Sequence, residues 1–368
     1  MCPSLSNFEL LMKPILLRYR STFYLILVLI SGIWLLLSGC EKKERFNSEG
    51  KSKLVVLAEI TAGDSAYIPV SKSLLARLNG PIDFKKINNV TVVITESGGS
   101  SMLLQLNNGA QYADLPASIY TGPDHFKPNT VYSLRATHPD LGMVEAITRI
   151  PAAFNVSEIS PDGAFVGNEK VFMFEFEIRD NGNQANYYTF EALKQRVTPY
   201  RYFYWKGEQY DYDTRDGRYL YNQIEDEEDI ELPIEEVVVT DPELIRLSVL
   251  TGDSKTENVK ISSLDSSYSR IFLTDSLFNG TSYSTSFYVP ADELLPTDQR
   301  ETGQIIIRIK SVGKDFFDYL VRYEKYKAGF GILPFGNLSS PEGNILNGFG
   351  VFGGSYKLEW KFDYEDFD

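Results

Sequence analysis

Cysteine is nearly absent from this chain of 368 residues, which contains only Cys2 and Cys40. Because both lie within the first 40 residues, the sequence predicts no disulfide in the body of the chain. Stability must then come from a packed core. With 43% apolar and 13% aromatic residues, the chain has enough material for one, and its length suggests about two domains.

Histidine is equally scarce, since the chain contains only His125 and His138. A zinc site built from histidines is excluded by this number. A Ser-His-Asp triad would need one of the two, but both lie in turn-like sequence and neither accompanies a Gly-x-Ser-x-Gly motif. We therefore expect two exposed loop histidines and no catalytic role for either.

Positive charge is in deficit, with 36 basic and 50 acidic residues and a formal net charge of −14. Removing residues 1–39 takes away three basic residues and one acidic residue, which leaves −16. Such a surface repels phosphate backbones, so we expect no nucleic acid partner. The glycine-rich segment 348–354 precedes a predicted strand and not a helix, so it does not predict a phosphate site, and no cofactor is expected.

Only one long apolar run occurs, Ser21–Leu37, and it follows Lys13, Arg18 and Arg20. This charged-then-apolar layout is typical of a secretory signal. A run of about 17 to 20 apolar residues could also span a bilayer. However, the run ends in the sequence LSGC, which resembles the lipobox of bacterial lipoproteins and ends at Cys40.

The lipobox resemblance implies that Cys40 is acylated and becomes the first residue of the mature protein. Residues 1–39 are then a discarded signal peptide, whether translation starts at Met1 or at Met12. Two or three acyl chains, palmitate among them, make a stable membrane anchor. The polar residues 40–50 that follow are predicted to form a flexible tether.

The remainder of the chain has the pattern of an all-β, or mainly β, protein. Short segments rich in β-branched residues alternate with Gly, Asn and Pro turns, which predicts strands in a sandwich. We predict an immunoglobulin- or transthyretin-like sandwich over residues 51–152 and a larger β-rich domain over residues 153–368. The predicted strands are 54–60, 66–71, 90–95, 102–106, 131–136, 144–150, 170–178, 186–193, 200–205, 244–250, 282–289, 304–312 and 355–362.

Two segments of the second domain have a clear period. Residues 170–178, KVFMFEFEI, alternate between one strongly apolar face and one mixed face, which indicates a strand. Residues 314–327 place apolar and tyrosine side chains at helical spacing, which predicts one helix near the C-terminus.

Four pieces of sequence resemble the lipoprotein family catalogued as domain of unknown function 4249. They are the lipobox followed by KLVVLAEIT, the segment NTVYSLRATHPDLGMVEAITRIP, the helix DFFDYLVRYEKY, and PEGNILNGFGVFGG near the end. Together they cover nearly all of the mature chain. The resemblance implies an outer-membrane lipoprotein, facing the periplasm or the cell surface and often associated with a TonB-dependent transporter.

This resemblance implies no reaction, and we expect a non-catalytic accessory or ligand-capture component and not an enzyme. Two alternatives stay open. A structural or adhesive surface protein would suit two sandwiches equally well. A glycoside hydrolase needs only two carboxylates, and so many acidic residues always allow a pair.

The best binding candidate is the strand 200–205, YRYFYW. Tyr200, Tyr202 and Tyr204 alternate with Phe203 and Trp205, so one face could pack in a core while the other exposes a row of rings. Exposed rings stack on sugars or contact a peptide, and we take Tyr200, Tyr202, Tyr204 and Trp205 as candidate glycan- or peptide-binding residues. The alternative is that these tyrosines are half-buried strand residues of no special function.

A second candidate is the segment 211–217, DYDTRDG. Its carboxylates Asp211, Asp213 and Asp216 could offer oxygen ligands to calcium. The segment departs from an EF-hand, because Arg215 occupies a ligand position and the glycine comes one place late. A polar hairpin turn is the favoured interpretation, and the acidic run 225–236 is predicted to be a solvated loop.

Overall fold

The computed structural model describes residues 52–73, 86–110, 117–182, 184–197, 199–228, 233–237, 243–260, 267–296, 301–330 and 342–367. The described residues lie in one compact unit, which spans residues 51–368. The predicted signal peptide, the tether and Cys40 all lie outside the described residues, so their assignments stay predictions.

The described chain is mainly β, as predicted. Eight strands lie among the described residues up to Ile150, and the predicted strand 102–106 is divided in two at Leu104. The strand β6 was not predicted, because Pro123 lies within it and His125 ends it. The strands are β1 (Leu54–Thr61), β2 (Ser65–Lys72), β3 (Thr91–Glu96), β4 (Ser101–Leu103), β5 (Gln105–Asn107), β6 (Ser118–His125), β7 (Thr130–His138) and β8 (Gly142–Ile150).

Twelve further strands and three helices follow among the described residues after Ile150. The strands are β9 (Asn155–Val156), β10 (Pro161–Val166), β11 (Glu169–Arg179), β12 (Tyr187–Val197), β13 (Tyr200–Trp205), β14 (Glu208–Asp211), β15 (Glu235–Val237), β16 (Glu243–Arg246), β17 (Ile271–Thr274), β18 (Ser282–Pro290), β19 (Thr302–Val312) and β20 (Phe349–Asp363). The helices are α1 (Arg215–Glu228), α2 (Ala291–Leu294) and α3 (Lys314–Phe330).

The largest sheet runs through the whole described chain, in the strand order β16-β12-β19-β20-β1-β2-β6-β5, with β17 also paired to β12. Its central contact is the parallel pairing of β1 with β20, which joins residues near the two ends of the described chain. The predicted division at residue 152 stays a prediction, and this sheet has strands on both sides of it.

Two smaller sheets pack against the large one. The sheet β4-β3-β7-β8 and the first strands enclose a core of aliphatic and aromatic residues that includes Val56, Ile94, Leu134 and Phe352. The sheet β10-β11-β18 encloses a second core. In that core the predicted two-residue period of β11 is confirmed, because Phe172, Phe174, Phe176 and Ile178 are all buried.

Glycines allow β20 to lie against its neighbours. Gly350 has φ +101°, and a Cβ there would lie 2.0 Å from the carbonyl oxygen of Val56 on β1. A Cβ on Gly353 would lie 2.2 Å from the ring of Phe316 on α3. The glycine-rich segment is therefore part of the strand itself, which begins six residues earlier than predicted.

Asn344, in the segment PEGNILNGFGVFGG, holds β20 in place through hydrogen bonds to its backbone. Asn344 accepts a hydrogen bond from the Phe352 amide at 2.9 Å and donates to the Phe352 carbonyl at 2.9 Å. Phe352 is fully buried, whereas Phe349 is 52% exposed because it begins the strand on its outward side.

The helix predicted over 314–327 is confirmed as α3. Its residues Phe316, Phe317, Leu320 and Val321 pack on Phe272, Val312 and Val351 of the large sheet and its flank. The structure adds a second long helix, α1, where the sequence predicted a turn and then a solvated loop. Because α1 ends at Glu228, the first part of the acidic run 225–236 is helical and not a loop.

Candidate functional site

The small sheet β14-β13-β15 together with α1 forms the candidate binding module. The strands β13 and β14 form a hairpin in which Trp205 pairs with Glu208. Between them lie Lys206 with φ +50° and Gly207 with φ +84°. Two positive φ values in a two-residue loop define a type I′ turn, and this turn fixes the register of the tyrosine strand.

One face of β13 is a core. Phe203 is fully buried and packs against Tyr221 and Ile224 of α1. Its ring meets that of Tyr221 edge-on, with centroids 5.1 Å apart, and stacks on Tyr210 at 5.5 Å. Trp205, one of the candidate binding residues, lies on this face as the alternation predicts and is half-buried, so it is not part of the tyrosine row.

The other face of β13 carries the three tyrosines in a row. The rings of Tyr200 and Tyr202 stack with centroids 5.7 Å apart, and those of Tyr202 and Tyr204 meet edge-on at 5.6 Å. Tyr200 and Tyr202 are half-buried, and Tyr204 is 52% exposed. The half-buried rings of Tyr200 and Tyr202 fit the interpretation as ordinary strand residues, and the exposed ring of Tyr204 fits a binding surface, so a binding role for the row stays a prediction.

Polar groups flank the row. The hydroxyl of Tyr202 donates to the Glu235 carboxylate on β15 at 2.7 Å, and that of Tyr204 donates to the Gln209 amide oxygen on β14 at 3.3 Å. Sequence reasoning missed Glu235 and Gln209. The I′ turn signal KG could have found Gln209, since it fixes the pairing of Tyr204 with that residue.

The hydrogen bond from Tyr202 to Glu235 raises the pKa of the tyrosine, and desolvation raises it further. The hydroxyl therefore stays protonated at neutral pH and acts as a donor. We refer to Tyr200, Tyr202, Tyr204, Gln209 and Glu235 as the tyrosine face. Rings that stack, next to amide and carboxylate acceptors, are the groups with which proteins hold sugars and peptides.

The predicted calcium segment holds the module together instead. Asp213 accepts hydrogen bonds from Arg201 Nε at 2.9 Å and Nη2 at 2.7 Å, and the amide of Asp213 donates to Asp211 Oδ1 at 2.8 Å. Asp216 lies in the first turn of α1. Within the described ranges, no group of three or more His, Cys, Asp or Glu side chains could hold a metal ion.

Gly217, the late glycine of that segment, has a packing role. It lies in the first turn of α1, where a Cβ would lie 1.7 Å from the carbonyl oxygen of Asp211. Only glycine permits so close an approach between the helix and the end of β14.

A second group of charged residues lies on the large sheet. The carboxylate of Glu191 on β12 is fully buried and lies 3.3 Å from Lys310 Nζ and 3.6 Å from Arg270 Nε, and it contacts Arg246. Lys310 also donates to both carboxylate oxygens of Glu59 on β1, at 2.8 and 3.0 Å.

Burial and attraction compete in setting the pKa values of this group. Burial alone would raise the pKa of Glu59, but the charge and hydrogen bond of Lys310 outweigh it and lower the pKa to about 2. Burial lowers the pKa of Lys310 to about 8 in spite of Glu59. Because each charge has a partner of opposite sign, the cluster joins β12, β19 and β1 and is structural.

The two histidines lie at strand ends and not in loops as expected, and His125 is exposed whereas His138 is half-buried. His125 ends β6. His138 ends β7, and its Nδ1 accepts hydrogen bonds from the amides of Asp140 and Leu141 in the turn to β8. The turn between β7 and β8 agrees with the turn-like sequence around His138.

No helix among the described residues is long and apolar enough to cross a membrane. Cys40, the predicted lipidation site, lies outside the described residues.

Comparison with known proteins yields one family. Residues 43–359 match the family model described as "Domain of unknown function (DUF4249)". No curated protein matches the chain. A solved structure described as "Complete structure of manganese lipoxygenase of Gaeumannomyces graminis and partial structure of zonadhesin of Komagataella pastoris" is 9% identical, covers 85% of this chain and 94% of its own, and has a TM-score of 0.19. A similarity at that score supports no conclusion about fold or function.

Proposed function

This chain belongs to the family described as Domain of unknown function (DUF4249), and on that premise we propose that it is a non-catalytic, lipid-anchored protein of the outer membrane that captures a ligand. The observation that carries the proposal is the tyrosine face, a row of two half-buried rings and one exposed ring flanked by Gln209 and Glu235. The ligand is a glycan or a peptide, and the protein delivers it to a TonB-dependent transporter.

The tyrosine face suits capture because it combines rigidity with exposure. The strand β13 is held from behind by Phe203 and from the side by the Arg201–Asp213 pair, so its rings are already ordered before a ligand arrives. A surface ordered in advance loses little conformational entropy on binding.

A binding screen with two variants tests the proposal. The intact chain is applied to glycan and peptide arrays, together with the double variant Tyr202→Ala, Tyr204→Ala. Each ring contact is worth about 1 kcal/mol, so the double variant is expected to lose about tenfold or more in affinity. Its free energy of unfolding should change by less than about 1 kcal/mol, because neither side chain is in a core.

Tyr219→Ala is the matched control, because this tyrosine of α1 belongs to the same module and is 71% exposed outside the tyrosine face. It should bind as the unaltered chain does. If the double variant loses several kcal/mol of stability, the tyrosines are structural. If nothing on the arrays binds, ligand capture by this face is rejected.

The membrane anchor has its own test. In the native host, Cys40→Ser should abolish incorporation of a palmitate analogue and release the chain from the membrane fraction, whereas Cys2→Ser should do neither. A Cys40→Ser chain that still carries the analogue would contradict the anchor. Co-purification of the tagged intact chain with an outer-membrane barrel protein would support the transporter partner, and its isolation without one would count against it.

A further inference from the structure

The sheet β14-β13-β15 has one side that α1 covers and one side that carries the tyrosine row. The core around Phe203 lies on the α1 side. None of the hydrophobic cores among the described residues includes Tyr200, Tyr202 or Tyr204. A ligand of this sheet therefore lies on the tyrosine side, and the charges on that side decide which class of ligand fits.

Two carboxylates flank the middle of the tyrosine row. Tyr202 pairs across the sheet with Glu235 on β15 and with Asp211 on β14. Directly opposed residues of antiparallel strands point to the same face, so both carboxylates lie beside the Tyr202 ring. Glu235 is exposed and accepts a hydrogen bond from the Tyr202 hydroxyl at 2.7 Å, and Asp211 Oδ1 accepts one from the amide of Asp213 at 2.8 Å. Both donors are neutral, so the two negative charges remain.

The positive charges of the module lie on the α1 side. Arg201 alternates with the tyrosines along β13, and its guanidinium binds Asp213 at 2.7 Å. The Nζ of Lys206 lies 4.9 Å from the centroid of the Trp205 ring, which is on the α1 side too. The other two cations among the described residues of the module belong to α1 itself and are Arg215 and Arg218. The tyrosine side thus has two carboxylates and no cation among these described residues.

The charge of the module and its rings both favour a cationic ligand. Residues 200–237 contain 12 acidic and four basic residues, so this short segment has a net charge of −8, more than half of the −14 of the whole chain. A field of one sign attracts ligands of the other, and the faces of aromatic rings attract cations. An arginine guanidinium suits both groups at once, because its planar group stacks on a ring while its N–H groups donate to a carboxylate.

We propose that the ligand of the tyrosine face is a basic peptide, with an arginine guanidinium over the exposed ring of Tyr204 and hydrogen-bonded to the carboxylate of Glu235. These two residues are diagonal neighbours across β13 and β15, within reach of one long side chain. From Tyr200 to Tyr204 the row extends over about 13 Å at the rise of a strand, so a peptide backbone can lie along it, whereas a small cation would contact one ring. This inference rests on the proposed function, because it names the class of ligand for the same face.

Three peptides that differ in one side chain test the class of ligand. The peptide acetyl-Gly-Gly-X-Gly-Gly-amide is titrated into the intact chain with X as arginine, lysine or citrulline, whose neutral urea group has the shape of the guanidinium. Binding is followed by the amide chemical shifts of residues 202–211 and 235–237. We expect the arginine peptide to bind most tightly and the citrulline peptide about tenfold more weakly. Raising the NaCl concentration from about 50 mM to about 500 mM should weaken binding of the arginine peptide.

Matched variants test the two groups that hold the guanidinium. Glu235→Gln removes a negative charge but keeps an acceptor for the Tyr202 hydroxyl, and it should weaken binding of the arginine peptide about threefold or more. Glu236→Gln is its control, because Glu236 pairs in register with Arg201 and so lies on the α1 side of the same strand. Tyr204→Leu should weaken binding about threefold or more, whereas Tyr204→Phe, which keeps the ring, should not.

The outcomes separate this inference from the proposed function. The basic peptide is overturned if the arginine and citrulline peptides bind alike, if the arginine peptide shifts none of these resonances at millimolar concentration, or if the folded Glu235→Gln and Glu236→Gln variants bind it equally well. A glycan or neutral peptide that binds on the arrays, and is lost in the double variant Tyr202→Ala, Tyr204→Ala, would then leave ligand capture in place. Arrays on which nothing binds would reject both.

Discussion

Glu59 and Lys310 illustrate how much of the stability at the residue scale depends on single charged contacts. The change Glu59→Gln leaves the buried ammonium of Lys310 with one carboxylate neighbour fewer. Because a buried ammonium that loses one of its carboxylates is less well compensated, we expect the free energy of unfolding to fall by about 3 kcal/mol, measured in urea. In the exposed Arg135–Glu145 pair, Glu145→Gln should cost less than about 1 kcal/mol. Equal losses of unfolding free energy in the two variants would show that the Glu59–Lys310 pair stabilises the fold no more than an exposed pair does.

The pKa of the Glu59 carboxylate predicts how the stability of the chain depends on pH. The pKa of Glu59 is about 2 in the folded chain and 4.5 ordinarily. Between these values the unfolded chain binds more protons than the folded one, so stability decreases as pH falls from 4.5 towards 2. From pH 5 to pH 2.5 this residue should account for about 2 kcal/mol of lost stability. The stability difference between the unaltered chain and Glu59→Gln should therefore narrow by that amount, and a constant difference would contradict the pKa.

Sequence patterns could not have found this cluster. In β1, Glu59 alternates with buried Ala58 and Ile60, and that alternation predicts an ordinary outward-facing charge. Its partner lies 251 residues away in the chain. The tyrosine face was easier to predict, because the alternation of Tyr200, Tyr202 and Tyr204 about Phe203 lies within a single strand. Of its polar neighbours, Glu235 could be identified only from the fold.

At the scale of elements, β20 depends on Gly350. The change Gly350→Ala puts a Cβ 2.0 Å from the Val56 carbonyl oxygen, in a backbone conformation with φ +101° that side chains rarely adopt. We expect a loss of about 3 kcal/mol or more in the free energy of unfolding, because the strain disturbs the pairing of β20 with β1. Gly163→Ala in β10 is the control, as its added Cβ meets nothing within 4 Å. Similar urea midpoints for the two variants would show that β20 tolerates a side chain there.

Elements whose apolar residues recur with a clear period could be predicted from the sequence. Elements that are stabilised mainly by tertiary contacts could not. The alternation in β11 and the apolar stripe of α3 are visible in the sequence, and both are confirmed. The helix α1 has only three apolar residues on its packed side, Leu220, Tyr221 and Ile224, among many acidic ones, and Gly217 in its first turn disfavours a helix. The core around Phe203 stabilises α1 although its own sequence does not favour it.

At the scale of the whole molecule, the two ends of the described chain meet in one sheet. β1 pairs in parallel with β20 over seven residue pairs, from Val55 with Phe349 to Thr61 with Ser355. No local pattern reveals a pairing between segments so far apart in sequence. The predicted strands and turns could place a sandwich over residues 51–152, but not the strand from the far end that pairs with β1.

This pairing predicts that a fragment of residues 51–152 does not fold alone. Without β20, the edge of β1 loses its backbone partners, and the first core loses Phe352 and Ile345, each worth about 2 kcal/mol of burial. We expect the fragment to show a poorly dispersed amide spectrum and no cooperative transition in urea, whereas residues 51–368 should show both dispersion and a transition. A fragment that unfolds cooperatively, with a free energy above about 3 kcal/mol, would show that the N-terminal sandwich is autonomous and that β20 only docks on it.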